Sequence, residues 1–208
     1  MIYEIMKKVT FIGDVHANFS EYFFIVDRLE NDSIQLGDMG IWQGVKGEYK
    51  KYLIEFPNPN HKFIRGNHDD PEMCRKHKNY LGDYGITEDG IFFVSGAYSI
   101  DKCYRTPMFD WWTDEELSIA EFYNVLELYE KEKPEIVISH GCPNEITELT
   151  TNFGFVEKSR TADYFSEMLR LHKPKKWFFG HMHSNFDDVV NDVYFSCLNI
   201  LVTYTIEV

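Results

Sequence analysis

Aspartate, histidine and asparagine recur in this chain at one kind of place, directly after short apolar runs. The blocks are Gly13-Asp14-Val15-His16, Gly37-Asp38, Gly66-Asn67-His68-Asp69, His140 and Gly180-His181-Met182-His183. Carboxylate, amide and imidazole donors with no cysteine among them suit hard or borderline divalent ions, and a pair of such ions can drive hydrolysis. In Asp14-Val15-His16 the two donors are two residues apart, so in an extended segment they point the same way and can grip one ion. Asp38 has two oxygens and can bridge two ions. Asn67 adds a carbonyl oxygen, and His140, His181 and His183 add ring nitrogens, completing a mixed set that manganese, iron or zinc accepts. Two ions about 3.5 to 4 Å apart would hold a bridging hydroxide and both faces of an in-line displacement at phosphorus.

The segments that carry these blocks read as βα units. Residues 9–12, 34–36 and 62–64 are short β-branched or aromatic runs entering the first three blocks, with helical spacing over 19–29 and 49–56. Residues 91–94 read as a strand, and 114–132 as the longest helix, with Thr113 as N-cap and Glu116 three residues on. Residues 136–139 run into His140, 161–172 are helical, and 177–179 run into Gly180. Residues 193–198 and 201–206 close the chain as antiparallel strands, 57–60 form a turn, and 82–90 form a loop. The strands outnumber what one small parallel sheet needs, which points to two packed sheets with helices outside. With 208 residues and no interdomain linker, the expectation is a single domain over residues 1–208.

A formal net charge of -13 argues against binding along an extended nucleic-acid backbone, which depends on many lysine and arginine contacts. A small or terminal phosphate ester still fits, because two divalent ions make the site itself attractive to an anion. Cys74, Cys103, Cys142 and Cys197 form no CxxC pair, so the cysteines suggest neither a zinc ribbon nor a disulfide framework. Cys142 stands two residues from His140, but a thiolate suits this oxygen-rich set poorly. Lys7 and Lys8 follow the first apolar positions instead of preceding them, and no apolar run reaches membrane-spanning length. The expectation is a cytoplasmic protein with no membrane partner. Its oligomeric state is left open.

In this order the blocks resemble the calcineurin-like metallophosphoesterase family: GDxH, GDxx, GNH(D/E), H and GHxH, over residues 9–183. The resemblance implies an α/β fold, a four-layer αββα sandwich of two mixed β-sheets flanked by helices, with the metal site at strand C-terminal ends. It implies hydrolysis of phosphomonoesters or phosphodiesters. By position, Asp14, His16, Asp38 and His183 would hold one ion, and Asp38, Asn67, His140 and His181 a second. Manganese is the first expectation for both, with iron, zinc or nickel as alternatives. His68 matches the family's catalytic histidine, whose task would be to protonate the leaving alkoxide or stabilise charge on phosphate, and Asp69 would help orient it.

The second block departs from one branch of the family. Protein phosphatases read GDxxDRG there, whereas this chain reads Gly37-Asp38-Met39-Gly40-Ile41-Trp42. The orienting carboxylate and the phosphate-binding arginine are missing, which weakens a serine/threonine protein phosphatase reading. Another arginine would clamp substrate, with Arg105 and Arg65 as candidates. Residues 96–102, Arg105, Trp111, Trp112 and 114–116 resemble a bacterial and phage branch, which favours Arg105. The alternative from another class is a catalytically silent binding protein on the same fold. Degenerate members of that kind lose ligands or the histidine, and this chain has all of them. His61, His77 and His172 fit no block and read as structural, as do Trp111 and Trp112.

Overall fold

The computed structural model describes residues 7–150 and 159–208. Four-residue runs such as His61–Ile64 and Ile91–Val94 are too short and too β-branched or aromatic to favour a helix, and they form strands buried almost throughout. In chain order the elements are β1 (Lys8–Ile12), α1 (Phe19–Val26), β2 (Asp32–Leu36), β3 (His61–Ile64), α2 (Pro71–Lys76), β4 (Tyr84–Ile86) and β5 (Ile91–Val94). They continue with α3 (Ile119–Glu132), β6 (Ile136–Ser139), α4 (Asn144–Thr150), α5 (Arg160–Leu171), β7 (Lys176–Phe179), β8 (Phe186–Val190), β9 (Val193–Cys197) and β10 (Thr203–Glu207).

One sheet has the order β10-β1-β2-β3 and the other β4-β5-β6-β7-β9-β8. In the first, β1, β2 and β3 are parallel and β10 is an antiparallel edge. In the second, β5, β6, β7 and β9 are parallel, with β4 and β8 as antiparallel edges. Three apolar clusters define the layers. Phe11, Ile34, Leu36 and Ile64 of the first sheet meet Ile91, Ile138 and Phe178 of the second, with the Phe11 and Phe178 rings 4.8 Å apart. Ile12 and Phe63 face α1 through Phe19, Tyr22 and Val26. Phe92, Trp177 and Phe179 face α3 and α5 through Phe122, Tyr129, Phe165 and Met168. Alternate residues along each strand therefore serve opposite faces, and the result is the expected α/β sandwich with two mixed sheets between helical layers.

Several expected elements differ in extent. The helix placed at 114–132 starts at Ile119, because Ser118 and Glu121 form the reciprocal cap while Glu115 and Glu116 accept hydrogen bonds from Ser99 and Thr161. Residues 49–56 do not form an α-helix; a 3₁₀ helix covers Gly47–Leu53 instead. The helix expected to reach residue 29 ends at Val26. The 82–90 loop contains β4, paired antiparallel with β5. The two closing strands do not pair with each other: β9 runs parallel to β7 and β10 pairs with β1, so the chain changes sheets between them.

Arg65 fastens the end of β3 to the second sheet. It is fully buried, its Nε donates to Asp83 at 2.9 Å and its Nη1 to the Glu115 carbonyl at 2.6 Å, while its own carbonyl accepts from Gly96. Burial alone would raise the Asp83 carboxyl, but the Arg65 charge and hydrogen bonds from Arg75, Arg65 and Tyr80 hold it below the ordinary value. Asp83→Asn leaves a buried guanidinium without its counter-ion and is expected to destabilise the fold by about 3 kcal/mol at neutral pH. A carboxyl depressed in the folded state contributes stability above its unfolded value of about 3.9, and that contribution disappears as pH falls through the lower folded value. The gap between variant and wild type should therefore narrow in acid. Denaturant titrations at pH 7 and pH 3 read both parts, and equal stability at pH 7 would contradict the pairing.

Candidate metal centre

The loops after β1, β2, β3, β6 and β7 converge and are knitted to one another before any ion is considered. Val15 and His16 donate their backbone N–H groups to the Asp38 carbonyl at 3.0 and 2.7 Å. His181 donates its N–H to Asp14 Oδ1 at 3.0 Å, and His68 donates its own to Asp38 Oδ1 at 2.8 Å. Tight turns accompany this. His16, Asp38, His181 and His183 all have positive φ, a left-handed conformation that non-glycine residues hold only when the surroundings impose it, at about 1–3 kcal/mol each. Close approach also dictates two glycines. A Cβ on Gly66 would stand 2.1 Å from Asp38 Oδ1, and one on Gly37, itself at φ +97, would stand 2.4 Å from the His140 ring.

These turns gather the donors into two groups that share one carboxylate. Ligand atoms of Asp14, His16, Asp38 and His183 lie within 4.8 Å of one another, as do those of Asp38, His140 and His181. Asp38 divides its oxygens between them: Oδ1 is 3.4 Å from His140 Nε2, and Oδ2 is 3.8 Å from His16 Nε2. Asn67 joins the second group, its Oδ1 3.1 Å from His140 Nε2. The structure thus brings together all seven residues the sequence singled out as ligands.

The donor chemistry fits cations. Asp14 Oδ2 is buried and accepts no aligned hydrogen bond, although His183 Nε2 is 3.0 Å and His16 Nε2 3.6 Å away. The His16 and His183 Nε2 atoms are themselves only 2.9 Å apart. Ring nitrogens and carboxylate oxygens thus converge on one place, the arrangement a cation would fill. His140 Nδ1 lies 2.8 Å from the Leu36 carbonyl, so with its proton there Nε2 is left as a free donor, the usual outer support of a metal-binding imidazole. Burial would raise both carboxyls, yet the His16 and His183 rings bring Asp14 down to about 2, and the charge of His140 takes Asp38 well below the carboxylate range. Burial lowers His140, but Asp38 and Asp14 outweigh it and raise the ring to about 9. His181 goes the other way, to about 4, through burial and the neighbouring His140 charge. At neutral pH both carboxylates are anionic and His181 is neutral, the states in which they bind cations, whereas His140, held near 9 by the two carboxylates, must give up its Nε2 proton when an ion takes its place.

Two supporting residues were not legible in the spacing. Asn67 Nδ2 donates to Ser99 Oγ at 2.9 Å, which turns the amide oxygen toward His140, and Ser99 donates its N–H and its hydroxyl to the buried Glu115 carboxylate. Nothing but their place in the 96–116 stretch marked them. Removing the anchor with Ser99→Ala should weaken Mn²⁺ binding in the group that contains Asn67 by about 10- to 100-fold. Calorimetric titration with Mn²⁺ measures it, and an unchanged affinity would show that the amide needs no such support.

The expectation that Asp69 orients His68 meets a different geometry. Its carboxylate accepts from four backbone N–H groups, Met39, Gly40, Ile41 and Gly66, at 2.7–3.1 Å, and is fully buried. It therefore shapes the loop that carries Asp38, and adjacent side chains on an extended backbone diverge in any case. Arg65, the lesser candidate for a phosphate clamp, is spent in the core as described. Arg105 lies in the site: it is held by Asp101 through Nε and Nη2 at 2.9 and 2.8 Å, and its Nη2 contacts His68 Nε2. Burial and the Arg105 charge lower the His68 ring from its ordinary value against the pull of Asp38, whose Oδ2 is 3.9 Å away. His61, His77 and His172 are tied to Ser33, the Tyr52 carbonyl and the Pro134 carbonyl, far from this chemistry in role.

A family model described as calcineurin-like phosphoesterase matches residues 7–185. The chain belongs to that family. Among solved structures this calcineurin-like chain is similar to phosphopantetheinyl hydrolase (PptH) from Mycobacterium tuberculosis, with a TM-score of 0.56 and 12% identity over 94% of this chain and 90% of that one. It is also similar to GAP50, the anchor in the inner membrane complex of Plasmodium, with a TM-score of 0.47 and 13% identity over 93% of this chain and 72% of that one. At such identities the likeness to PptH concerns the fold alone. No curated protein matches the chain. No helix among the described residues is long and apolar enough to cross a membrane.

Proposed function

We propose that the chain is a phosphoesterase that works with two divalent ions, Mn²⁺ foremost, on phosphomonoesters or phosphodiesters. The observation that carries this reading is the division of the donors into two groups that share Asp38. Asp14, His16, Asp38 and His183 would hold one ion, and Asp38, Asn67, His140 and His181 the other. Such ions supply Lewis-acid charge to the phosphoryl oxygens and lower the pKa of the attacking water. Around them the chain's own groups complete the reaction. His68, on the rim beside Asp38, gives a proton to the departing alkoxide oxygen as the P–O bond breaks. Arg105 holds a non-bridging phosphoryl oxygen with the guanidinium now aimed at His68, kept in place by its bidentate pairing with Asp101. Asp69 holds the turn that presents Asp38. The four cysteines are free thiols, which suits a reducing, cytoplasmic setting.

The test is a panel of chromogenic mono- and diesters and nucleotides, assayed after chelation and again after Mn²⁺ is restored. Activity should vanish with the metal and return with it. Hydrolysis that survives complete metal removal would refute the reading.

A further inference from the structure

The metal centre opens into a cavity of about 440 Å³, and the two ends of that cavity differ in chemistry. At one end stand Asp38, Asn67, His68, His181 and His183, together with the Arg105–Asp101 pair. Among the described residues, the rest of the wall carries no charged side chain. It is built from Ala97, Tyr98, Ile100, Cys142, Ala162 and Met182 with small hydroxyl residues between them. Burial raises the Cys142 thiol far above its ordinary value, so it too is neutral. Ile100 is 72% exposed at this wall, a large apolar side chain left facing solvent beside a reaction centre.

Such a volume, with largely apolar walls and the charged groups gathered at one end, is the usual form of a small-ligand pocket. Charge decides what kind of ligand. Among the described residues that line the cavity, Arg105 is the one arginine or lysine and Asp101 already neutralises it, while Lys102 is drawn onto the Tyr98 ring with its Nζ 4.1 Å from the centroid, so a second or third phosphate would find little counter-charge beyond the metal centre. Of the wall hydroxyls, Ser159 is engaged with Glu116 and Thr147 with the Pro143 carbonyl, and Thr161 Oγ1 is left without a partner, so a polyhydroxylated alcohol would lose more water than this wall replaces. Resting on the phosphoesterase reading above, we propose that the substrate bears a single phosphate on an apolar, ring-sized alcohol, with Ile100, Tyr98 and Met182 as the wall that selects it.

The experiment compares benzyl phosphate, glycerol 1-phosphate and ATP on the Mn²⁺-loaded protein. The first two release alcohols of similar acidity, so leaving-group chemistry does not set their order. We expect kcat/KM for benzyl phosphate to exceed that for glycerol 1-phosphate by at least about tenfold, the discrimination that burying a small apolar group gives, with ATP no better than glycerol phosphate. Ile100→Asn, at an exposed position that tolerates change, should reduce that ratio several-fold, mainly through KM for the benzyl ester. A parity or inverted ratio, or a preference for ATP, overturns the inference and leaves the phosphoesterase reading intact. Equilibrium binding separates the two claims. Benzylphosphonate should bind at least about tenfold more tightly than methylphosphonate, with a negative heat-capacity change, and the gap should shrink in Ile100→Asn. If no ester is hydrolysed, the phosphoesterase reading fails, and the phosphonate comparison alone decides for or against the apolar wall.

Discussion

Asp38→Asn is expected to cost the chain metal and activity together. The substitution keeps the shape of the side chain and one oxygen, so the hydrogen bond from the His68 N–H can survive. What it removes is the negative charge and the second oxygen. In the wild type those oxygens face different histidines, Oδ1 toward His140 and Oδ2 toward His16, so an amide can serve one group and not both. The loss of charge also reaches the neighbours: Asp38 is the largest influence that keeps the His140 ring protonatable near 9 in a fully buried place. Several kcal/mol of electrostatic stabilisation lost at the reacting phosphoryl group corresponds to a fall in kcat/KM of about 10³-fold or more. Elemental analysis of the purified variant should find less than the wild-type metal content. Full metal content with unchanged activity would remove Asp38 from the centre.

His68→Asn is expected to separate what Asp38→Asn loses together. His68 belongs to neither donor group, and it lines the cavity beside Arg105 and the shared carboxylate. Its loss should therefore leave metal content and KM near the wild type while kcat falls by about 10²- to 10⁴-fold, the range that a positioned proton donor contributes. The dependence on leaving group is the sharper readout. An alkyl ester, whose alkoxide needs a proton to depart, should suffer most, and a nitrophenyl ester, whose phenolate leaves unaided, should suffer least. An equal loss on both would assign His68 to charge stabilisation of the phosphoryl group, and an unchanged kcat would exclude it from the reaction.

The site was more legible in the sequence than the elements around it. Short β-branched runs broken by Gly-Asp or Gly-His mark strand ends directly, because the same residues that end a strand are also the candidate ligands at Asp14, Asp38 and His181. The start of α3 was less legible, since Thr113 with Glu116 and Ser118 with Glu121 offer the same capping spacing. Tertiary contacts chose between them: Glu116 accepts from Thr161 and Ser159, at the first turn of α5, and is not available to cap α3. The final two strands looked like a local pair, but Gly13 donates to the Val202 carbonyl and Leu201 to the Asp14 carbonyl, and these bonds draw the connection across to the first sheet. The role of Asp69 is hard to read from sequence for a related reason. Adjacency to His68 suggested a partner, whereas its real partners are backbone groups some thirty residues away at Met39, Gly40 and Ile41.

The claim on which the rest depends is that Asp38 joins two cation positions into one centre. Metal titration of the chain followed by electron paramagnetic resonance of the Mn²⁺-loaded protein tests it directly. Two ions per chain with an exchange-coupled spectrum, collapsing to that of an isolated ion in Asp38→Asn, is the predicted result. A single bound ion in the wild type, or two ions with no magnetic coupling, would contradict it.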